Sequence, residues 1–598
     1  MIKATGSQII VKLLELEGIK TVAGIPGGSI LPLYDELNKS GINHILVRQE
    51  QAAGFIAQGM TRSTGIPAVC MATSGPGAMN LLTAIADARC DSVPIVAFTG
   101  QVNSALIGTD AFQEADTFGL SFPITKHSVM VKNALDLLTV VPQAFAIAVS
   151  GRPGPVLIDV PRDVQTAVVE FEDWPKIESV YEGKHSALAK KFCTPESEVP
   201  AVIETMAQTL AAAKKPVLYA GGGCNSLDAS RAIASLLSVY DCAVVSSLMG
   251  IGAVPSSAKN NFGMLGMHGN YAANRAMHDA DVVLAMGVRF DDRATGVISK
   301  FCPDAKILHI DIDAAEINKI LPAYKALVKD VESAVPLLAE KVAAVCSVKG
   351  SGNEEAAAAR KDWVSSLAEI FVQTKTVELG RPANLESVNP RAFIRSIPEF
   401  AAKAGVAAED IIVTTDVGQH QMWSAQYYPV ELPRQFLTSG SLGTMGFGLP
   451  VALGAAVANP QKRVVCISGD GSILMNIQEL ATLAELNLNV TVIVLQNGSL
   501  GMVRQQQEYL FDKNYSASIF KKVPDFMKVA AGFGIDAVDA LADDKWYEKA
   551  FAAGPHFVKL GIDMQENVLP FVPAGKANID AVKALYENTL ADCVTPLR

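Results

Sequence analysis

No stretch of about eighteen apolar residues runs free of charges or turn residues, so no membrane-spanning helix is expected. No charged-then-apolar leader precedes the first periodic segment, so no secretory signal is expected either. The nine cysteines, among them Cys70, Cys224 and Cys466, contain no CxxC pair. An odd, scattered set fits buried thiols in a reducing compartment better than a disulfide framework, and a cytoplasmic location is the expectation. Positive charge is also short, with Lys and Arg against Asp and Glu giving 50 − 61 = −11. A basic face for nucleic acid or for an anionic membrane is therefore not expected. Charged residues make up only 19% of the chain and apolar residues 49%. That is enough for several buried cores and excludes disorder of the bulk.

What is present is length and alternation. At about 150 residues per domain, 598 residues suggest three or four domains. Short β-branched runs recur at Ala68–Met71, Ile95–Thr99, Val156–Asp159, Val217–Ala220, Val282–Met286, Ile307–Ile312, Ile411–Thr415, Val464–Ser468 and Thr491–Leu495. Runs of this kind bounded by Gly or Asp read as buried parallel strands. Helical patterns such as Gly6–Glu17 and Ile477–Glu485 lie between them, so the fold class is α/β with doubly wound parallel sheets. Glu170–Ser197, Ser347–Arg360 and Gly380–Pro390 interrupt the pattern with polar residues, Pro and Gly, and read as linkers or surface connections. They divide the chain into 1–170, 190–345 and 385–560, with a tail at 561–598. The first and third pieces are candidates for distant structural relatives, which sequence alone does not show.

One motif carries chemistry by itself. The strand ending at Ser468 runs into Gly469-Asp470-Gly471-Ser472, with a helix expected from near Asn476. A Gly-Asp-Gly turn lets backbone approach an anion closely, and a helix N-terminus would add free N–H groups. Asp470 offers oxygen to Mg2+, a hard cation. The next strand ends at Asn497, 497 − 470 = 27 residues further on. Adjacent parallel strands would bring the two side chains together, with a backbone carbonyl available at Ser499. The pair suits a metal-bound diphosphate.

This turn with its later Asn resembles the thiamin-diphosphate signature. Gly24–Gly28, Arg48–Ala53, Thr73–Gly77, Ala111–Glu114 and Gly151–Pro155 are similar to the first domain of acetohydroxyacid (acetolactate) synthases. Gly263–Gly269 and Gly287–Arg293 are similar to their middle domain, and Asp416–Gln421 and Gly443–Gly448 to their third. The resemblance runs in order over nearly the whole chain. It implies the large catalytic subunit of that family, with pyrimidine-binding, FAD-binding and diphosphate/Mg-binding domains and a C-terminal tail, Asn567–Asn578, that closes over the site as a mobile lid.

The resemblance also implies roles. Glu50 would bond the aminopyrimidine ring of thiamin diphosphate, so that the imino nitrogen takes the thiazolium proton. Gly443 and Met445 would hold the ring and bend the cofactor. Pro26, Gly471, Ser472 and Met502 join the cofactor set, and Gln419 and His420 match diphosphate contacts. Asp470, Asn497 and Ser499 would bind the metal. Gly27, Gln113 and Lys126 match catalytic positions, with a Gly27 N–H suited to a developing alkoxide. Arg152, Met264, Leu265, Gly266, Met267, His268, Gly269, Arg289, Arg293 and Asp311 match FAD positions. Val217–Cys224, a strand with a Gly-rich turn, suits either a phosphate or close packing. The implied substrates are pyruvate and 2-ketobutyrate, with Phe112, Arg293, Met502 and Gln506 on the substrate side. The implied assembly is a homodimer or homotetramer, with room for a regulatory small subunit.

The chain departs from the family at two places. Gln506 stands where members usually carry a Trp that favours 2-ketobutyrate, and Gln496 replaces the first Asn of an Asn-Asn pair. The alternatives are a carboligase with another acceptor, such as glyoxylate, a pyruvate decarboxylase or oxidase, and a non-catalytic relative. Glyoxylate carboligases lack the glutamate kept here as Glu50. A binding-only relative would be expected to lose Glu50, Asp470 or Asn497.

Overall fold

A computed structural model describes residues 1–177, 191–348, 352–379 and 388–582. The chain opens with β1 (Ile2–Thr5), then the Gly6–Leu16 helix. Thr5 and Gln8 close a reciprocal cap on its first turn, each side chain taking the other's backbone N–H. A six-stranded parallel sheet comes next, with β2 (Thr21–Gly24), β3 (Asn43–Leu46), β4 (Ala68–Ala72), β5 (Ile95–Gln101), β6 (His127–Met130) and β7 (Val156–Pro161) in the order β3-β2-β4-β5-β7-β6. β8 (Val168–Phe171) returns antiparallel to β1. The expected linker from Glu170 is corrected there: its first residues belong to a strand, and apolar Phe171 is buried under Trp174.

The second sheet holds β9 (Pro216–Ala220), β10 (Ala243–Ser246), β11 (Asn261–Met264), β12 (Val282–Met286), β13 (Lys306–Asp311) and β14 (Lys325–Val328). Its order is β11-β10-β9-β12-β13-β14. The third holds β15 (Ile411–Thr415), β16 (Phe436–Leu437), β17 (Arg463–Gly469), β18 (Val490–Gln496), β19 (Asp536–Asp539) and β20 (His556–Gly561), in the order β16-β15-β17-β18-β20-β19. Counting each sheet's strands from one, the first and third sheets share the order 2-1-3-4-6-5. The middle sheet has 3-2-1-4-5-6, the dinucleotide-fold order, whose ligand crevice lies at the carboxyl ends where the order reverses. The expectation of three parallel-sheet α/β units is met.

The connection around Ser347–Arg360 is also corrected. From Asn353 it belongs to a helix that runs to Leu379. Its Ala/Glu start carries no obvious apolar stripe, yet Trp363 and Leu367 are buried against the middle sheet's core. Arg360 donates to the carbonyls of Ala211 and Ala213 and covers the Tyr240 ring. Tertiary contacts, not local pattern, hold this helix.

The first and third sheets share one core. The Glu50–Thr64 helix lies on the Gly448–Ala458 helix, and Phe55 meets Phe447 edge to face at 5.3 Å. Two glycines permit this approach. A Cβ on Gly59 would stand 2.2 Å from the Val451 carbonyl oxygen, and one on Gly454 would stand 2.0 Å from that of Ile56. Among the described residues, no helix is long and apolar enough to cross a membrane.

Candidate functional site

β17 and β18 are register neighbours, Gly469 opposite Leu495, so Asp470 and Asn497 leave the same sheet edge. The Asp470 carboxylate accepts the N–H groups of Asn497 (3.1 Å) and Gly498 (2.6 Å). Burial pushes its pKa up to about 6, against those N–H bonds, which favour the charged form. The helix expected from near Asn476 is corrected. The Gly-Asp-Gly turn leads into one 3-10 turn, Ile473–Met475, and the α-helix starts only at Glu479. What this edge could offer an anion is therefore the turn itself and not a long helix dipole.

A cleft open to solvent lies at this edge. Gly418, Gln419, His420, Met445, Asp470, Gly471, Ser472, Asn497, Ser499 and Met502 line it. His420 is 5% exposed, and its Nε2 has no partner within the protein. Burial pushes its pKa down to about 3, so the ring is neutral. A Cβ on Gly418 or Gly469 would come within 2.8 Å of that ring. An orphaned buried nitrogen aimed into a cleft fits a ligand oxygen. Among the described residues, no three His, Cys, Asp or Glu side chains gather into a self-contained metal centre. A cation at Asp470 and Asn497 would need further oxygens from a ligand or water, which suits Mg2+ on a diphosphate.

Met445 is held by turns on either side. Gly443 and Gly446 both have positive φ, and Asp416 accepts the Gly446 N–H at 2.8 Å. Upstream, Asp91 accepts the N–H groups of Gly440 and Ser441, and Asp87 accepts the Thr444 hydroxyl. Buried Arg62 pairs with both aspartates. The loop of the third unit is thus fastened by charges of the first. Sequence reasoning missed this network, because Arg62 and Asp87 by themselves read as ordinary helix residues and their partners as an ordinary turn.

The carboxyl edge of the first sheet gathers a second set. Glu50 starts its helix, and its Oε2 accepts the Asn80 amide at 2.9 Å. Asn80 was not foreseen, although it lies one helical turn beyond Pro76 in the Thr73–Gly77 motif. Gly27 packs on Thr73 and Gly77 approaches Glu50. Gln113 takes φ +59° against Gly75, an uncommon conformation for a side-chain-bearing residue. The side chain of Phe112 is 88% exposed, and Pro26 is exposed as well. None of these residues lines the third-sheet cleft.

Lys126, expected at a catalytic position, has its Nζ held by backbone carbonyls. Its Nζ donates to the carbonyls of Ile147 (2.5 Å) and Ser150 (2.6 Å), where the Leu137–Val149 helix ends. A cation is stabilised there by orphan carbonyls. Burial and the charges of Arg89 and Arg152 push its pKa down to about 8.

In the middle unit, Met264–Gly269 runs on from the last residue of edge strand β11, and the Met267 N–H donates to the Arg293 carbonyl. Gly266 has φ +106°, and a Cβ there would meet that carbonyl at 2.5 Å. Asp311 ends β13, buried, with its pKa pushed up to about 7 by burial. Arg152 reaches across to Glu316 at 2.6 Å, Arg289 donates to the Cys90 carbonyl, and Arg293 is largely exposed. The Gly-rich turn resolves to close packing. Gly221 and Gly223 lie against Gly287, and their N–H groups bond the carbonyls of Met286 and Gly287.

The tail segment Asn567–Asn578, expected as a lid, is docked in this structure. Val568, Phe571 and Val572 are buried, and Phe571 stacks on His268. The Val572 N–H bonds the Met267 carbonyl, and Asn578 bonds that of Ala294. Apolar side chains and paired backbone fasten it between the middle and third units. Gln506 is exposed on the Gly501–Leu510 helix, outside the cleft lining, whereas Gln505 beside it is fully buried.

Comparison with known proteins is consistent along the chain. Residues 4–120 match the N-terminal TPP binding domain of thiamine pyrophosphate enzymes, 203–338 their central domain, and 416–559 their C-terminal TPP binding domain. The chain is 45% identical over 583 residues to acetolactate synthase isozyme 1 large subunit of Escherichia coli (strain K12), covering 97% of each. It is 41% identical to isozyme 2 large subunit of the same organism, covering 97% of this chain and 100% of that one. A probable acetolactate synthase large subunit of Methanocaldococcus jannaschii is 40% identical, with 95% of this chain and 94% of that one covered.

Proposed function

The chain belongs to the thiamine pyrophosphate enzymes, in their acetolactate synthase large-subunit family, and from that premise we propose how its residues divide the work of joining two 2-oxo acids. The substrates in this reading are pyruvate, with a second pyruvate or 2-ketobutyrate as acceptor. The observation that carries it is the convergence of Asp470, Asn497 and the unpartnered His420 Nε2 on one cleft.

When bound, thiamin diphosphate supplies a carbon nucleophile and an electron sink for loss of a carboxyl group. Asp470, Asn497 and the Ser499 backbone would hold Mg2+ against the diphosphate, with His420, Gly471 and Ser472 on its oxygens. Gly443 and Met445 would seat the pyrimidine. Glu50, Pro26, Gly27, Phe112 and Gln113 lie on the other sheet and outside this cleft. They would serve the cleft of a second copy, which makes a homodimer the smallest active unit and leaves a homotetramer open. In that assembly Glu50 would hold a proton at a pyrimidine nitrogen, and the Gly27 N–H would donate to an oxygen on which charge develops. FAD would lie at the carboxyl edge of the middle sheet, held by the Met264–Gly269 backbone, Arg289, Arg293 and Asp311, with Arg152 alongside. The buried acid ending β13 and the dinucleotide strand order fit that group. The reaction moves no net electrons, so FAD would be structural. The relatives are named as large subunits, which supports a regulatory small subunit for this chain.

The product assay tests this. Pyruvate with Mg2+ and thiamin diphosphate should give 2-acetolactate. Acetaldehyde or acetate without acetolactate would mean a decarboxylase or oxidase, and condensation only with glyoxylate would mean the other carboligase. In competition, Gln506 should leave a weaker preference for 2-ketobutyrate over pyruvate than a Trp-bearing relative shows. An equal preference would remove Gln506 from the acceptor site.

A further inference from the structure

Gln419 faces the cleft at the start of the Gln419–Tyr427 helix, but its amide is already committed inside the protein. It is 3% exposed. Its Nε2 donates to Gln505 Oε1 at 3.0 Å and to the Glu566 carbonyl at 2.9 Å. Two oxygen acceptors fix which end of the amide is nitrogen. Oε1 is then the free acceptor, and it takes the Asn497 Nδ2 proton at 3.2 Å. That bond in turn fixes Asn497, whose nitrogen points at Gln419 and whose Oδ1 points the other way, toward Ser499 N and Oγ. The chain of bonds continues outward. Gln505 is fully buried and pairs with both backbone groups of Val568, accepting its N–H at 2.7 Å and donating to its carbonyl at 2.9 Å. Space for the relay is made by Gly501, where a Cβ would stand 2.1 Å from Gln419 Oε1 and 2.8 Å from Asn497 Nδ2.

We propose that Gln419 and Gln505 are positioning residues that present the Asn497 carbonyl to the metal and tie that presentation to docking of the Glu566–Val568 segment. The proposal rests on the metal role of Asn497 given above. Partners that orient a ligand side chain govern metal affinity without touching the metal. Because one amide serves both ends, the coupling is reciprocal: a bound metal should tighten the segment, and a docked segment should favour the metal. The side chain of Gln419 acts here through Asn497 rather than as the direct diphosphate contact expected from sequence.

The test uses the full-length protein with Q419E and Q505E, and with G501A as a variant that displaces the relay by bulk. Glutamate cannot donate to the Gln505 and Glu566 oxygens, so the amide order is lost while size is kept. Mg2+ is titrated by calorimetry in the presence of thiamin diphosphate, and hydrogen exchange is followed over 562–582. Q419E should raise the half-saturating Mg2+ about 10-fold to 100-fold and speed exchange at 566–568. Q505E should speed exchange there more than it weakens the metal. Adding Mg2+ and cofactor to the wild type should slow that exchange. Unchanged Mg2+ affinity in Q419E and G501A, with D470A abolishing it, would overturn the relay and leave the metal site standing. Unchanged affinity in D470A would instead overturn the metal reading itself. Should Q419E not fold, G501A and Q505E carry the same two readouts.

Discussion

The first and third sheets have the same strand order and opposite edges. At the third, a neutral buried histidine and a buried acid line a cleft. At the first, Phe112 and Pro26 stand exposed, and Glu50 is half-buried with Asn80 as partner. One scaffold thus carries a buried, polar cleft and the other an exposed edge with an apolar ring on it. The difference lies in the segment at each strand's carboxyl end: a Gly-Asp-Gly turn that admits an anion, or a helix that starts on a carboxylate.

The contrast is tested hardest at the anchor. D470A should abolish metal-dependent binding of thiamin diphosphate, read by calorimetry with and without Mg2+; retained affinity would show that the cleft does not use this acid. E50Q should do the reverse, keeping cofactor affinity while turnover falls about 10²-fold to 10⁴-fold, the range for a lost proton-transfer group. Mixing the two inactive variants separates the two edges further. If each site takes its edge from another copy, random re-pairing restores about a quarter of the wild-type rate, one intact site in half of the dimers. No recovery would mean that both halves serve one chain. Next comes the shared core. G454V forces a side chain onto the Ile56 carbonyl and should cost about 1–3 kcal/mol or more, seen as a lower melting temperature. An unchanged melting temperature would show that the two sheets can separate freely.

The smallest effect belongs to the middle sheet, which lacks the shared order. Asp311 has its folded pKa raised to about 7 by burial. The folded state therefore holds the proton more tightly than the unfolded chain, whose carboxyl titrates near about 4. The stability this contributes is present below about pH 4 and is lost as pH rises to 7. D311N removes the titration, so without FAD its melting temperature should gain on the wild type by a few degrees between pH 5 and pH 8. A constant gap would mean that the carboxyl is not buried as described.

Much of this was legible in the residues. Val464–Ser468 and Thr491–Leu495 read as strands because β-branched runs bounded by Gly or Asn have few other buried uses, and both appear within a residue or two. Asp470 and Asn497 stood out by their position after those strands. Short edge strands such as Phe436–Leu437 left too few residues to form a pattern. The Asn353–Leu379 helix was hidden because its Ala-rich start finds its partner only in the folded middle unit. Lys126 stood as a family match, but the carbonyls that hold its Nζ come from 21 and 24 residues further along the chain.

Local sequence was enough for the α/β class, the family and the meeting of Asp470 and Asn497 at one sheet edge, because these depend on short runs and on residue types at their ends. Long-range packing was needed for the rest: that the outer sheets share a strand order and a core, that Arg62, Asp87 and Asp91 hold the Met445 loop, and that Gln419 and Gln505 bind the anchor to the tail. Each of these joins side chains far apart in the chain. Amide orientation, buried charge pairing and glycine contacts acquire meaning only when packing brings their partners within a few ångströms.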